Sequence, residues 1–192
     1  MMIRIATTQD NKRLYGLYQK VALNEEKLSD ESYRKKIQLS GYLFGISSEK
    51  ELEHQITNAF LTLVYEENST IIGYVLLNKE TYFPKEAENI MWTKKEFKNS
   101  FFTPETMATV YHIAVDPNYS RMHIGRKLLK KGEKIAKKKG IKQLFSIIQI
   151  NPIINVPSVI FHSKQNFEVA CISAPITMRF KNYMCILMVK SL

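Results

Sequence analysis

The residues with the most chemical potential form one continuous stretch, Tyr111-His112-Ile113-Ala114-Val115-Asp116-Pro117-Asn118-Tyr119-Ser120-Arg121-Met122-His123-Ile124-Gly125-Arg126-Lys127-Leu128-Leu129. Its first part, from Thr109 to Val115, reads as a strand; Asp116-Pro117-Asn118 stops it, and apolar residues recur at helical spacing from Ile124. A helix fed by a tight loop presents unpaired N–H groups beside the positive end of its macrodipole, a ready anion site. Arg121 and Arg126 flank that point. The chemistry implied is capture of a phosphate or pyrophosphate. The same pattern also suits an ordinary strand–loop–helix connection with a solvated basic helix, and the residues alone leave both readings open.

Proton-transfer groups are close by. Imidazole titrates near neutrality, which makes His112 attractive as a base. Strand alternation sets Tyr111, Ile113 and Val115 on one face and His112 and Ala114 on the other, so His112 either addresses a ligand or packs beneath a helix. The spacing of His112, His123 and His162, three of the four histidines, matches no ligand signature, and the two cysteines are not adjacent to them. No metal site is expected.

The elements that must position these groups are legible along the chain. Met2 to Ala6 reads as a first strand, and Asp10 as the N-cap of a helix to about Leu23, with Leu14, Leu17, Tyr18 and Val21 on one face. A second helix is expected over about Lys27 to Leu39, with Gly41 and Gly45 breaking the chain after it. A third is expected to start at the Ser48/Glu51 capping box and run to about Asn58. Phe60 to Tyr65 and Thr70 to Leu77 make a hairpin. Thr81 to Pro104 reads as a loop holding one short helix around Glu86 to Phe97. The helix from Ile124 to Lys139 carries an apolar stripe of Ile124, Leu128, Gly132, Ile135 and Ala136, and Gly140 ends it. Leu144 to Ile150 is a buried strand and Pro157-Ser158 begins a short helix to about Asn166. Val169 to Ser173 and Met184 to Val189 are two further, antiparallel strands.

Composition bounds the rest. The chain has 192 residues, 45% hydrophobic and 24% charged, which suits one α/β or α+β domain over residues 1–192 and excludes disordered and fibrous classes. No apolar run reaches membrane-helix length, the N-terminus does not read as a secretory signal, and Cys171 and Cys185 look like buried thiols. A cytoplasmic protein without membrane association is expected. The net charge is +10, yet Arg121 to Lys142 alone holds ten basic residues and one acidic, and the remainder is nearly neutral. That segment could dock on nucleic acid, but its lysines share one helix without interleaved aromatics, which disfavours that partner.

The central stretch resembles the acetyl-CoA-binding motif of the GNAT superfamily of N-acetyltransferases. In that family a strand ending in Val-x-Pro leads into an Arg/Gln-x-x-Gly-x-Gly/Ala loop and a long helix. Val115, Pro117, Ile124, Gly125, Arg126, Leu128 and Leu129 match. Ser120 stands where Arg or Gln is usual, and His123 where the first Gly is usual. A residue there must tolerate an unusual backbone angle or donate to phosphate itself. The stretch Asn155 to Phe167 resembles a second family element through Asn155, Ser158, Phe161, Lys164 and Phe167. Asn166 replaces a glycine, and His162 replaces a tyrosine often used as general acid. The Phe-His pair, preceded by Asn151 and Pro152, resembles one branch of the family, as do Asn89 and Trp92. Ile3 to Ala6 with Asp10, and Ile71 to Val75, are similar to the family's opening and hairpin.

The resemblance implies a GNAT fold: a mixed, twisted central sheet of about six to seven strands with helices on both faces, opened at the fourth strand. It implies direct transfer of acetyl from acetyl-CoA, the co-substrate, to a primary amine of a small molecule or peptide. The amine arrives largely protonated and needs a base, which the family often places at the position of Tyr111; the leaving thiolate can be protonated by an acid, here His162. Ile113, Ala114 and Val115 would offer backbone groups to the acyl oxygen and the pantetheine arm. Arg121, Met122, His123, Ile124, Gly125 and Arg126 would hold the pyrophosphate, with Asn155, Ser158, Phe161 and Lys164 completing the cofactor site. Many relatives pair as homodimers. A non-catalytic acyl-CoA sensor on the same fold is the alternative suggested by His123 and Ser120.

Overall fold

In the computed structural model of the protein, residues 2–45, 48–79, 90–101, 103–173, 176–178 and 181–192 are described. The helices are α1 (Asn11–Val21), α2 (Glu31–Ser40), α3 (Glu49–Thr57), α4 (Lys95–Phe101), α5 (Ile124–Lys138) and α6 (Val156–Lys164). The strands are β1 (Met2–Ile5), β2 (Leu61–Glu67), β3 (Thr70–Asn78), β4 (Met91–Trp92), β5 (Met107–Val115), β6 (Gln143–Asn151), β7 (Glu168–Ile172), β8 (Ile176–Met178) and β9 (Lys181–Ser191).

The chain divides into two compact units. The first comprises Met1–Leu23, Tyr42–Asn78 and Val110–Lys139. Here β1 pairs antiparallel with β2, Ile3 facing Tyr65, and β2 pairs antiparallel with β3. Asn68 and Ser69 turn that hairpin at φ of 47° and 61°, and left-handed residues in a tight turn match the twist of the strands they join. β5 lies beside β3, and the Asp116 N–H extends the pairing by donating to the Ile72 carbonyl at 2.9 Å. Leu14, Leu17 and Tyr18 of α1 pack with Leu52 of α3 and with Val64, Tyr74 and Leu76 of the sheet. On α5, Ile124, Leu128, Leu129, Gly132 and Ala136 are buried while the lysines stay exposed. Full burial of Leu128 and Leu129 contributes on the order of 2 kcal/mol each. Gly73 lets α5 approach closely: a Cβ there would stand 2.8 Å from Ile124 Cγ2 and 3.1 Å from the Ala114 carbonyl oxygen.

The second unit comprises Asn24–Gly41, Lys79–Thr109 and Gly140–Leu192, so β5 contributes its first three residues here. β6 pairs antiparallel with β9, β9 with β7, and β7 with β4, Trp92 facing Cys171; β8 pairs with β9. Phe101 of α4 sets its ring edge-on to Phe145 at 4.9 Å and tilted against Trp92 at 5.7 Å.

The α/β class and the expected elements are present, with four corrections. The described residues hold nine strands rather than six to seven; β4 and β8, two and three residues long, are strands only because a longer neighbour pairs with them. Asp10 stands at the N-cap of α1 as expected, but its side chain makes no cap hydrogen bond. Its buried carboxylate takes Arg4 at 2.7 and 3.0 Å, Arg13, and the Thr7 N–H at 2.8 Å. The helix expected over Lys27 to Leu39 is two elements. Asn24 starts a 3-10 turn over Glu25–Ser29, and Asp30 then caps α2 by accepting from the Ser32 and Tyr33 N–H groups. Two competing N-caps split one apolar pattern. The short helix expected around Glu86 to Phe97 starts at Lys95 instead, because Met91 and Trp92 are drawn into pairing with β7; positions 86 to 89, including Asn89, lie outside the described residues.

Candidate active site

The site begins where β5 ends. Tyr111, Ile113 and Val115 are half-buried, whereas His112 and Ala114 are buried, which is the alternation a strand imposes. Asp116 closes the strand. Its carboxylate accepts the Asn118 N–H at 3.0 Å, starting the 3-10 turn Pro117–Tyr119, and takes Lys20 Nζ from α1 at 2.6 Å. Burial pushes this carboxylate up, but Lys20 and the Asn118 N–H outweigh that and hold it below its ordinary range. The loop is therefore fixed at its base.

Beyond it, Arg121 and His123 both lie in the left-handed region, at φ of 65° and 58°. His123, with ψ of 18°, is the residue from which α5 departs. A left-handed residue followed by a right-handed helix turns successive N–H groups toward one side, an arrangement that cradles anions. The first-turn N–H groups of Ile124, Gly125 and Arg126 have no acceptor within the helix. The Ile124 side chain is buried, so it can offer only its backbone; Ala114 is placed the same way. Arg121, Met122, His123 and Arg126 are exposed around the turn. Within the first unit the structure thus brings the six predicted loop residues together around one cationic turn.

His112 lies in the core of the first unit. Its ring stacks on Tyr111 at 4.6 Å and on Tyr18 at 5.5 Å, and Nδ1 lies 3.3 Å from the Tyr74 hydroxyl. Nε2 has no hydrogen-bond partner among the described residues. Burial drives the imidazole down to about 4, against a smaller opposing effect of the Phe44 backbone and Glu51. It is neutral near pH 7.

In the second unit, α6 carries the other expected residues. Asn155 is its N-cap, Oδ1 accepting the Ser158 N–H at 3.3 Å, and its own N–H donates to the Gln149 carbonyl at 3.0 Å. Phe161 is half-buried and Lys164 exposed. His162 is buried between Phe161 and Phe167, both rings edge-on at 5.2 and 5.0 Å. Its Nδ1 stands 2.8 Å from the Ser158 carbonyl oxygen, which can only accept, so Nδ1 carries the proton of the neutral ring. Burial lowers this imidazole too, to about 4, partly offset by the Ser158 backbone. Nε2, the unprotonated nitrogen, has no partner among the described residues. Asn166 at φ 66° ends the helix in the left-handed conformation expected of it, and the Phe167 N–H returns to the His162 carbonyl at 3.0 Å.

Sequence reasoning missed two positioning residues. Lys20 lies 96 positions from Asp116, with no local signal to connect them. Tyr74 reads as a core aromatic, and only the fold sets its hydroxyl against His112. Among the described residues no three His, Cys, Asp or Glu side chains form a metal-holding group, and no helix is long and apolar enough to cross a membrane.

The sequence profile of the acetyltransferase (GNAT) family matches residues 27–167. The chain belongs to that family. Comparison with curated protein sequences gives no significant match. Solved structures agree in fold. The ribosomal-protein-S18-alanine N-acetyltransferase of Escherichia coli has a TM-score of 0.64 at 17% identity, covering 99% of this chain and 92% of its own. PaiA N-acetyltransferase of Thermoplasma acidophilum, solved with coenzyme A, has a TM-score of 0.61 at 20% identity, covering 100% and 98%. YncA of Salmonella typhimurium, solved with acetyl-CoA, has a TM-score of 0.63 at 18% identity, covering 100% and 93%.

Proposed function

We propose that this chain, acting as one catalytic domain, transfers an acetyl group from acetyl-CoA to a primary amine by direct transfer. The observation that carries this reading is the cradle after β5: two left-handed residues, the first turn of α5 and Arg121 and Arg126 meet at the position where the family holds pyrophosphate. The PaiA and YncA structures were solved with coenzyme A and acetyl-CoA, which supports the same donor here. Bound acetyl-CoA supplies an activated thioester; everything else falls to the protein.

The loop residues Arg121 to Arg126 neutralise the pyrophosphate, chiefly through backbone N–H groups, with Arg126 adding charge. The backbone of Ile113, Ala114 and Val115 pairs with the amide arm. In the second unit Asn155 and Ser158 shape the start of α6, and the family resemblance assigns Phe161 and Lys164 to the cofactor. An ammonium substrate first releases one proton to water to become a free amine; the transfer itself then moves one more, from the amine nitrogen to the departing sulfur. Nε2 of His162 is suited to carry it, because the neutral ring holds its only proton on Nδ1. It accepts at Nε2 and returns the proton to the sulfur. The low basicity of a buried imidazole keeps its protonation brief, so this is a relay rather than a resting acid. Tyr111 is the half-exposed group on the ligand face of β5 and the candidate to receive the amine. His112, buried against Tyr74, supports Tyr111 by stacking and is a positioning residue in this reading. The free thiols Cys171 and Cys185, which burial raises to about 12, fit a reducing cytoplasm.

Calorimetry with acetyl-CoA, with CoA and ATP as controls, tests the reading. Micromolar binding that weakens roughly tenfold in Arg126→Ala supports it. No binding by the folded wild type refutes it. A screen of polyamine, amino acid and peptide acceptors then follows, with His162→Gln expected to lower turnover at least tenfold while leaving acetyl-CoA affinity nearly unchanged.

A further inference from the structure

We infer that the acceptor is an amine carrying a second positive charge, which this chain holds against the Tyr15 ring of α1 with Glu51 of α3 as its counter-charge. The inference rests on the acetyl-transfer reading given above and names the class of substrate that Tyr111 receives.

The observation is a run of four aromatic rings within the first unit. Tyr15 lies 6.4 Å from Tyr18 with the ring planes 12° apart, Tyr18 stacks on His112 at 5.5 Å, and His112 stacks on Tyr111 at 4.6 Å. The inner rings, Tyr18 and His112, are buried. The end rings, Tyr15 and Tyr111, are half-buried and pack against the core from its margin. At the Tyr111 end the chain leaves room: even a Cβ on Gly45 would stand 3.8 Å from the Tyr111 hydroxyl. Tyrosine rings carry negative charge on their faces, and a partly exposed one attracts a cation. Aliphatic residues at the two ends would bury as well and offer no such attraction.

The charge beside the run has the sign a cation needs. α3 packs against α1 through Leu52, and it carries Glu49, Glu51 and Glu53 against Lys50. In a chain of net charge +10 this is a local reversal. Glu51 is half-buried and close enough to the run for its charge to favour protonation of His112. Burial outweighs that effect and keeps the imidazole neutral near pH 7, so the run itself does not repel a cation. Of the three cations on α1, Arg13 is held by Asp10 and Glu66 and Lys20 by Asp116, leaving Lys12, which is exposed. A remote ammonium on the acceptor therefore gains a ring face and a carboxylate, whereas a remote carboxylate would meet Glu51 and be rejected. The bond changes are those of acetyl transfer: the primary amine forms the new C–N bond, the thioester C–S bond breaks, and the thiol leaves with the amine proton. The second cation only holds the acceptor.

The test compares two acceptors of one shape and different charge: an aminobutyl chain ending in trimethylammonium, and the same chain ending in tert-butyl. The butyl spacer keeps the two primary amines nearly equal in basicity. Release of the CoA thiol at saturating acetyl-CoA gives kcat and KM for each on the full chain. The wild type is expected to favour the cationic acceptor about tenfold in kcat/KM, mainly through KM. Tyr15→Leu and Glu51→Gln are each expected to cut that preference about threefold with kcat little changed, while Tyr15→Phe, which keeps the ring face, retains it. Gln suits the third position of a capped helix as Glu does, so Glu51→Gln reads the charge in a folded chain even where Tyr15→Leu melts early. Equal kcat/KM for the two acceptors, or a preference that survives both Tyr15→Leu and Glu51→Gln, overturns the proposal. Acetyl-CoA binding in calorimetry without turnover of either acceptor also overturns it and leaves the donor site standing. Folded wild type that binds no acetyl-CoA refutes the acetyl-transfer reading itself, and this proposal with it.

Discussion

Replacing Gly73 by alanine should unseat the helix that carries the loop. The new Cβ would lie 2.8 Å from Ile124 Cγ2, 3.2 Å from Leu128 Cδ1 and 3.1 Å from the Ala114 carbonyl oxygen. Carbon atoms pack at about 3.5–4.0 Å, so Ile124 would have to retreat by at least about 0.7 Å. The Ala114 carbonyl belongs to a strand and cannot yield, and Ile124 is fully committed to the core as the first residue of α5. Overpacking of this kind costs about 1–3 kcal/mol, against which a Gly-to-Ala change returns about 0.4–1 kcal/mol through the unfolded chain. A net loss of about 1–2 kcal/mol corresponds to a fall in Tm of about 2–8 °C for a chain of this size. Because the displaced turn is the one that presents N–H groups to phosphate, acetyl-CoA affinity should fall severalfold as well. Gly132 is the control: a Cβ there would meet Leu77 Cδ1 at 3.4 Å, an acceptable contact, and Gly132→Ala in the helix interior should raise Tm. Thermal melts and calorimetry on both variants decide the matter. If Gly73→Ala melts within about 1 °C of the wild type and binds acetyl-CoA unchanged, the close seating of α5 on β3 is refuted.

Lys20→Met should raise the acetyl-CoA KM about fivefold with kcat little changed, because Asp116 keeps only the Asn118 N–H and the base of the loop loosens; equal KM values would remove Lys20 from a positioning role. Asp10→Asn should destabilise the chain by about 3 kcal/mol, since Arg4 and Arg13 lose a buried carboxylate; urea titration measures it. Arg4, first among the causes, holds the Asp10 carboxyl well below its usual range, so its contribution is present above about pH 4 and is lost as the pH falls further. His112 and His162 act at higher pH. Burial lowers both to about 4, while an unfolded imidazole titrates near ~6.5. Their stabilisation is complete above that value and declines as pH falls toward 4, and His112→Gln should flatten the stability profile in that window by about one proton. An unchanged slope in the variant would show that His112 does not titrate with unfolding.

The sequence by itself determined the local pieces: the strand to Val115, its stop at Asp116-Pro117, the helix from Ile124 and its end at Gly140, and the left-handed finish of α6 at Asn166. Each depends on neighbours within a few positions, through alternation, helical period, a missing N–H or a tolerated φ, and these are written in the chain order. It also marked His123 as the departure from the family pattern and limited it to two options. The tertiary structure decided what the side chains do. His112 and His162 look equally reactive as residue types, but burial makes both weak bases, and only His162 has its proton assigned, by the Ser158 carbonyl. Asp10 stands at the cap position, yet its carboxylate is the acceptor for two arginines, because its partners arrive from β1 and from the next turn of α1. Lys20 reaches Asp116 across 96 positions. Long-range partners set protonation and loop position, and those partners exist only once the sheet and its helices have formed.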